Sequence, residues 1–420
     1  MTGQAAARAQ KKPPLEYSLL LTATLCLLAA GSVMVYSASS AESLFAGSGD
    51  PSYYLKRYVI FGIVGLVVMH MLSRHGLRPI QRATPLLLLV AFGLTVAVML
   101  PGIGRSANGA TRWLAAGPIQ FQPSELLKIA LVLYAARLLA ARPARMKTIS
   151  TLFRPLLLIV AAACALLLKQ PDMGTALVIC FSIGALLVAA GAPIRNLLMI
   201  GGALALLALF FAMLEPYRRA RLTAFVDPWS DAGATGFQSV QAMIAIGSGG
   251  MFGVGLGESV QKIFYLPEAH TDMILAIIGE ELGIVGMTAV AALFGMIAYA
   301  GFRTAKAARD AYSKLVAAGV TSLILCQATI NFAAVLGLAP LTGVPLPFVS
   351  YGNSNLIVLL GGMGLLLNVA ATGGLGARSK RGGGSLRPVE GGAGDARPGS
   401  GRRYGRTRRA GAGDRRRAAG

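Results

Sequence analysis

The chain has 420 residues, of which 55% are hydrophobic and only 13% charged, with a mean hydropathy of +0.63 and a formal net charge of +22. A soluble globular domain carries about 25% charged residues, so this composition excludes an ordinary soluble fold and points to repeated membrane helices of about 20 apolar residues each. Thirteen of the 39 Lys and Arg lie after Gly376; that charge argues for an anionic surface such as lipid headgroups and, with nothing folded accompanying it, against nucleic acid.

In chain order, about ten spans are predicted, at 18–39, 55–73, 84–100, 123–140, 154–168, 172–190, 196–214, 272–300, 313–336 and 353–371. The first run is long and lacks a small-residue cleavage pattern, so it reads as a retained helix. Lys and Arg mark one face. Arg8, Lys11 and Lys12 precede span 1, Arg74, Arg78 and Arg82 follow span 2, and Arg142, Arg145 and Lys147 follow span 4. Arg195 follows span 6, Arg303, Lys306, Arg309 and Lys314 follow span 8, and the basic tail follows span 10. The positive-inside rule makes that face cytoplasmic and puts both termini there. The expectation is an all-α, polytopic membrane protein: an N-terminal segment 1–14, a transmembrane domain 15–372 and a Gly/Arg-rich, disordered tail 373–420.

The opposite face holds loops at 40–53 and 101–122 and a long segment, 215–271, between spans 7 and 8. Connections of that length are functional or disordered. This one contains Phe225, Trp229, Phe237, Phe252 and Phe264 with a glycine-rich run at 247–257, so short helices and re-entrant pieces against the bundle are predicted. Internal repeats are not evident, which counts against inverted-repeat transporters. Cys26, Cys164, Cys180 and Cys326 sit singly in apolar runs without metal spacing and read as small core residues.

The segment YLPEAHTDMILAIIGEELG, 265–283, sets five ionisable groups at the entrance to span 8. Asp272 there is either a helix N-cap or a general base at the membrane face; Thr271 could cap equally well and leave Asp272 to work. On one continuous helix Glu280 would lie about 80° around and about 12 Å along from Asp272, and Glu281 on the opposite side, so at most one shares its cavity. Either glutamate could instead pair with another span. Glu125 and Lys128 share a helix face and can pair, or Lys128 can face an anion. The cations Arg105, Arg112, Lys169, Arg218, Arg219, Arg221 and Lys262 gather on the outer face, as a phosphate-bearing substrate would require, and the glycine-rich run could add backbone N–H groups. Read from the residues alone, the chain is an enzyme acting on a lipid-linked anionic substrate or a transporter with a mid-membrane ion site.

The 265–283 segment, continued through Gly286, resembles the signature of the SEDS family (shape, elongation, division and sporulation). NGATRW at 108–113, QPSELLK at 122–128, QPDMGTA at 170–176, DPW at 227–229, GFQSVQAMIAIGSGGMFGVGLG at 236–257 and LPFVSYGNSN at 346–355 match in order, covering nearly all of 15–372. The AHTD form is most similar to the cell-division member. The resemblance implies a peptidoglycan polymerase that joins lipid II disaccharides by β-1,4 bonds outside the bacterial cytoplasmic membrane and releases undecaprenyl diphosphate, with Asp272 catalytic. It implies that Arg112 and Lys128 stabilise the diphosphate, with Glu125, Asp172 and Glu281 orienting those cations, and that His270 and Gln238 join the substrate-binding set. It further implies no cofactor, with a divalent-cation requirement left open, membrane lipids as surroundings, the growing glycan chain as a ligand, and a class B penicillin-binding protein and other division proteins as partners at the septum. Met273 and the run Ser350–Asn355 depart from the family's usual Phe and SYGGSS; Asn353 and Asn355 put a close backbone role for the second Gly there in doubt. A lipid II flippase, an elongation or sporulation paralogue, and a non-catalytic scaffold are the alternatives.

Overall fold

The apolar runs form helices because a segment without water must satisfy its backbone polar groups internally. The computed structural model describes residues 13–45, 49–107, 110–116, 119–141, 149–199, 201–202 and 223–382. Its helices are α1 (Leu15–Phe45), α2 (Tyr53–Arg74), α3 (Leu77–Ala97), α4 (Pro123–Ala141), α5 (Ile149–Lys169), α6 (Met173–Ala189), α7 (Phe237–Gly249), α8 (Ile274–Ala307), α9 (Ala311–Val335) and α10 (Asn353–Gly382). Six are long and apolar enough to cross a membrane: α1, α2, α3, α8, α9 and α10 over Asn353–Gly373; α5 and α6 carry shorter apolar stretches. The chain is therefore a multi-pass membrane protein. The seventh expected span, 196–214, is described only at its start, as helix over 194–199 and 201–202, and otherwise falls outside the described residues, as does the tail beyond Gly382. Contacts divide the chain into Met1–Ser379 and Lys380–Gly420.

Helices α4, α9 and α10 are buried around most of their circumference, as helices apolar on every side must be. Leu127, Leu131, Ala135, Val316, Ile324 and Leu360 are wholly shielded. α4 packs against α3, α6 and α9, while α8 packs against α1, α7 and α9. The cysteines correct the expectation of core residues. Cys26 and Cys180 are exposed on the outer surface of the bundle, and the Cys164 and Cys180 sulfurs lie 3.6 Å apart across α5 and α6.

The expected loop at 101–122 is instead a three-stranded antiparallel sheet of β1 (Gly104–Ala107), β2 (Ala110–Ala116) and β3 (Ile119–Phe121). Arg105 pairs with Trp113, with a bulge between Arg105 and Ser106, and Leu114 pairs with Phe121. Asn108-Gly109 and Gly117-Pro118 are the turn signals that could have revealed these hairpins. In the long segment, a 3-10 turn (Pro228–Asp231) capped by Asp227 precedes α7.

The α8 helix is broken at Gly283, where φ is 66° and ψ −164°. The glycine-rich segment docks into that break. Val254 N–H donates to Glu280 O (2.9 Å), Gly255 N–H to Glu281 O (3.1 Å), and Ile284 N–H to Gly250 O (3.0 Å). These amides serve the fold, which corrects the expectation that they form an anion nest. A Cβ on Gly253, whose φ is +84°, would lie 2.1 Å from Glu281 O. Gly253→Ala is therefore expected to cost about 1–3 kcal/mol in backbone strain alone, before that overlap is relieved, and to lower folded yield and melting temperature in detergent. Gly295→Ala in the same helix meets nothing within 4 Å and is the control, expected to be neutral or slightly stabilising.

Candidate active site

Asp272 lies in the turn before α8, one residue ahead of the N-cap, Met273. The cap position of α8 is held by Met273, without a side-chain bond, and Thr271 Oγ1 donates to Glu268 Oε2 (2.7 Å) and lies 3.3 Å from Asp272 Oδ1. The helical-phase estimate relating Asp272 to Glu280 and Glu281 does not apply, because Asp272 is not on the helix. Its backbone is fixed instead. Asn331 Nδ2 on α9 donates to Asp272 O (2.7 Å) and to Val344 O (2.8 Å), and a Cβ on Gly343 would lie 3.8 Å from the Asp272 Oδ2 atom.

One turn earlier on α9, Gln327 Nε2 donates to Pro345 O (2.9 Å), and its Oε1 accepts from Lys128 Nζ (2.8 Å). Lys128 also pairs with Glu125 at 2.9 Å, and Asn355 Nδ2 donates to Glu125 Oε2 (2.7 Å). Both charged groups are only 2% exposed. Asn355, where the expected pattern has Ser, thus completes the carboxylate's partners, and Ser354 Oγ accepts from Gln122 N–H (2.9 Å). Buried charges persist only when paired and hydrogen-bonded, and this pair is both.

Arg112, on β2, reaches the loop before α6. Its Nε donates to Gln170 O (3.1 Å), a second nitrogen to Pro171 O, and Nη1 stands 4.0 Å from Asp172 Oδ1. Asp172 caps α6 by accepting from Thr175 N–H, and also accepts from Ser124 Oγ (3.3 Å) and Gln122 Nε2 (3.4 Å). The loop 342–345 joins the three clusters. A Cβ on Gly174 would meet Thr342 O, Gly343 borders Asp272, and Val344 and Pro345 bond to α9. Asn331 Oδ1 and Thr342 Oγ1 are buried there without a hydrogen-bond partner among the described residues. The acid and the buried ion pair thus converge on one loop, against which the start of α6 packs, and the half-buried guanidinium holds the residues just before α6.

Other expected site residues lie elsewhere. The Glu281 carboxylate accepts from Ser37 Oγ (2.6 and 2.8 Å) and pairs with Lys262 at 2.8 Å, so it orients neither Arg112 nor Lys128. Lys262 is buried in that pair and does not join an open cation cluster. Glu280 accepts from Ser259 Oγ and Val260 N–H (3.0 Å), holding the returning loop. His270 is buried, 3.2 Å from Glu42 and packed against Tyr54 and Tyr351 with ring centroids 4.2 and 5.6 Å away. Gln238 bonds Pro267 O (3.3 Å) and lines a cavity of about 90 Å³ with Met243 and Pro340. Arg105 and Lys169 are exposed; Arg218, Arg219 and Arg221 lie outside the described residues. Among the described residues no three His, Cys, Asp or Glu cluster as metal ligands. Sequence reasoning missed Gln327, Asn331, Ser37 and Glu42; the two α9 amides, four apart in an apolar helix, were the available signal.

Fold and site together define a polytopic helical membrane protein with an acid–base cluster at one end of its bundle. The chain belongs to the cell cycle protein family of FtsW, RodA and SpoVE, whose model matches residues 17–373. It is 42% identical over 353 residues to the probable peptidoglycan glycosyltransferase FtsW of Geobacter sulfurreducens, covering 84% of this chain and 94% of that one. It is 38% identical over 354 residues to the stage V sporulation protein E of Bacillus subtilis, covering 84% and 96%. Among solved structures, it is similar to a chain of a peptidoglycan synthase complex described as coordinating polymerization and crosslinking (TM-score 0.70, 30% identity, 84% and 97% covered). It is also similar to the rod shape determining protein RodA of Thermus thermophilus (TM-score 0.61, 29% identity, 84% and 95% covered).

Proposed function

We propose that this protein is a peptidoglycan glycosyltransferase that polymerises lipid II, with Asp272 as general base. The reading rests on family membership combined with one observation: the Asp272 main chain is anchored by Asn331 at the loop that also receives the Lys128 and Arg112 clusters. The acceptor's sugar 4-hydroxyl gives its proton to the Asp272 carboxylate as its oxygen bonds to the donor's anomeric carbon. The bond from that carbon to the diphosphate oxygen breaks, and undecaprenyl diphosphate leaves. Preorganised cations stabilise the charge that develops there. Arg112 is the better direct contact, since its side chain is 22% exposed while that of Lys128 is 1% exposed. Lys128 with Glu125 acts from within the wall, holding Gln327 and the loop 342–345.

The distribution of Lys and Arg among the loops favours an orientation with the Asp272 end outside the cytoplasmic membrane. The likeness to a synthase complex that coordinates polymerization with crosslinking supports a crosslinking partner, which we take to be a class B penicillin-binding protein, and the likeness to FtsW supports a role in division. The filled α4–α9–α10 core supports surface chemistry over passage of a headgroup through the bundle. Purified protein supplied with lipid II, alone and with its class B partner, is expected to make glycan chains and to release one undecaprenyl diphosphate per bond. Lipid movement across vesicles without chain formation would establish the flippase; neither activity in either setting would leave a scaffold.

A further inference from the structure

Two polar ties between α1 and α8 measure the bilayer. Glu16 pairs with Arg303 at 3.3 Å near one end, and Ser37 bonds Glu281 at the other. Between the ties neither helix carries a charge. The separation is about 21 residues on α1 and about 22 on α8, or about 32 Å at 1.5 Å per residue, close to the hydrocarbon thickness of about 30 Å. One boundary therefore lies at Glu281 and the break at Gly283.

The glycine-rich segment is bonded into that break and shares its level. Its side chains nevertheless point away from the protein: Phe252 is 80% exposed and Met251 60%, with Val254 and Leu256 also exposed. Ile284 and Val285, the first α8 residues beyond the break, are exposed beside them, so the surface continues a lipid-facing helix. Contiguous apolar surface of this kind is rare against water. Irregular backbone at a membrane boundary needs its polar groups satisfied, and the Gly253, Val254 and Gly255 amides bond Gly249 O, Glu280 O and Glu281 O.

We propose that residues 250–256 form a lipid anchor, with Phe252 and its neighbours seated among the acyl chains of the adjacent leaflet. The anchor fixes the height of the long segment. α8 begins at Ile274, seven residues before Glu281, so its N-terminus, with Asp272 in the turn just ahead of it, stands about 10 Å beyond the hydrocarbon edge. That is past a headgroup layer of about 5–8 Å, level with a substrate's sugars and clear of the lipid phosphates.

The test is a single reporter, Phe252→Trp, with Leu256→Trp as a second position, in the full chain reconstituted alone into phosphatidylglycerol-containing vesicles. Trp113 and Trp229 are replaced by Phe, or subtracted using the parent chain if those replacements lower the yield. The expected result is blue-shifted emission that lipids brominated on the upper acyl chain quench and aqueous iodide does not. Quenching by iodide without quenching by bromolipid would place the segment in water and overturn the proposal. Protection from both quenchers would mean that protein covers it, and would overturn it equally.

Discussion

Asp272→Asn is expected to abolish glycan synthesis from lipid II, with a loss of about 10²–10⁴-fold, the range supplied by a positioned general base. The substitution preserves shape and replaces the proton-accepting carboxylate with an amide. The protein should still fold, because Asn331 grips the main-chain oxygen of residue 272 and not its carboxylate, and because Met273 is the helix N-cap whatever side chain precedes it. Melting temperature and binding of the class B partner should therefore match the parent. Chain synthesis at the parental rate by the Asn variant would remove Asp272 from the chemistry. A loss accompanied by unfolding would leave the Asn331 anchor, rather than the base, as the feature that had been disturbed; Asp272→Glu, which keeps the acid and moves it, separates the two by recovering fold without full rate.

The second large effect concerns the buried pair. Lys128→Met strands Glu125 in the core with Asn355 as its remaining side-chain hydrogen-bond partner among the described residues, and breaking a buried ion pair from one side costs about 3–5 kcal/mol. The single variant is expected to be poorly folded and inactive. The double variant Glu125→Gln/Lys128→Met removes both charges and should recover most of the thermal stability, since replacing a whole buried pair is often close to neutral. Activity of the double variant then decides the role of Lys128. Recovered stability with no polymerisation assigns the ammonium a part in stabilising the leaving diphosphate; recovered stability with near-parental turnover makes the pair a framework for Gln327 and the loop 342–345. Melting curves in detergent and turnover on lipid II are the two readouts.

The helices were legible because lipid leaves the chain little choice: long apolar runs must become helices, and the described ones fall close to the expected positions. The break in α8 was not legible. IGEELGIVG reads as uninterrupted helix, and Gly283 departs from it only because the 250–255 backbone arrives from far along the chain to supply bonds that the helix forgoes. The sheet before α4 was missed because its strands are short and its alternation weak. Among the charged residues, Glu125–Lys128 was readable from their i,i+3 spacing, whereas Glu281–Lys262, His270–Glu42 and Arg112–Asp172 join separate elements and have no signature in local spacing.

By itself, then, the order of residues determined that this chain crosses a membrane repeatedly and where its ionisable residues gather along it, since apolar length and ionisable content are local properties. Only the tertiary structure decided which cation meets which acid. Pairing energy in a water-poor interior falls steeply with distance and rewards complete hydrogen bonding, so partners are chosen by the packing of helices remote in sequence. For that reason Lys262 is committed to Glu281 and Ser37, while Arg112 stays half-open at the loop before α6.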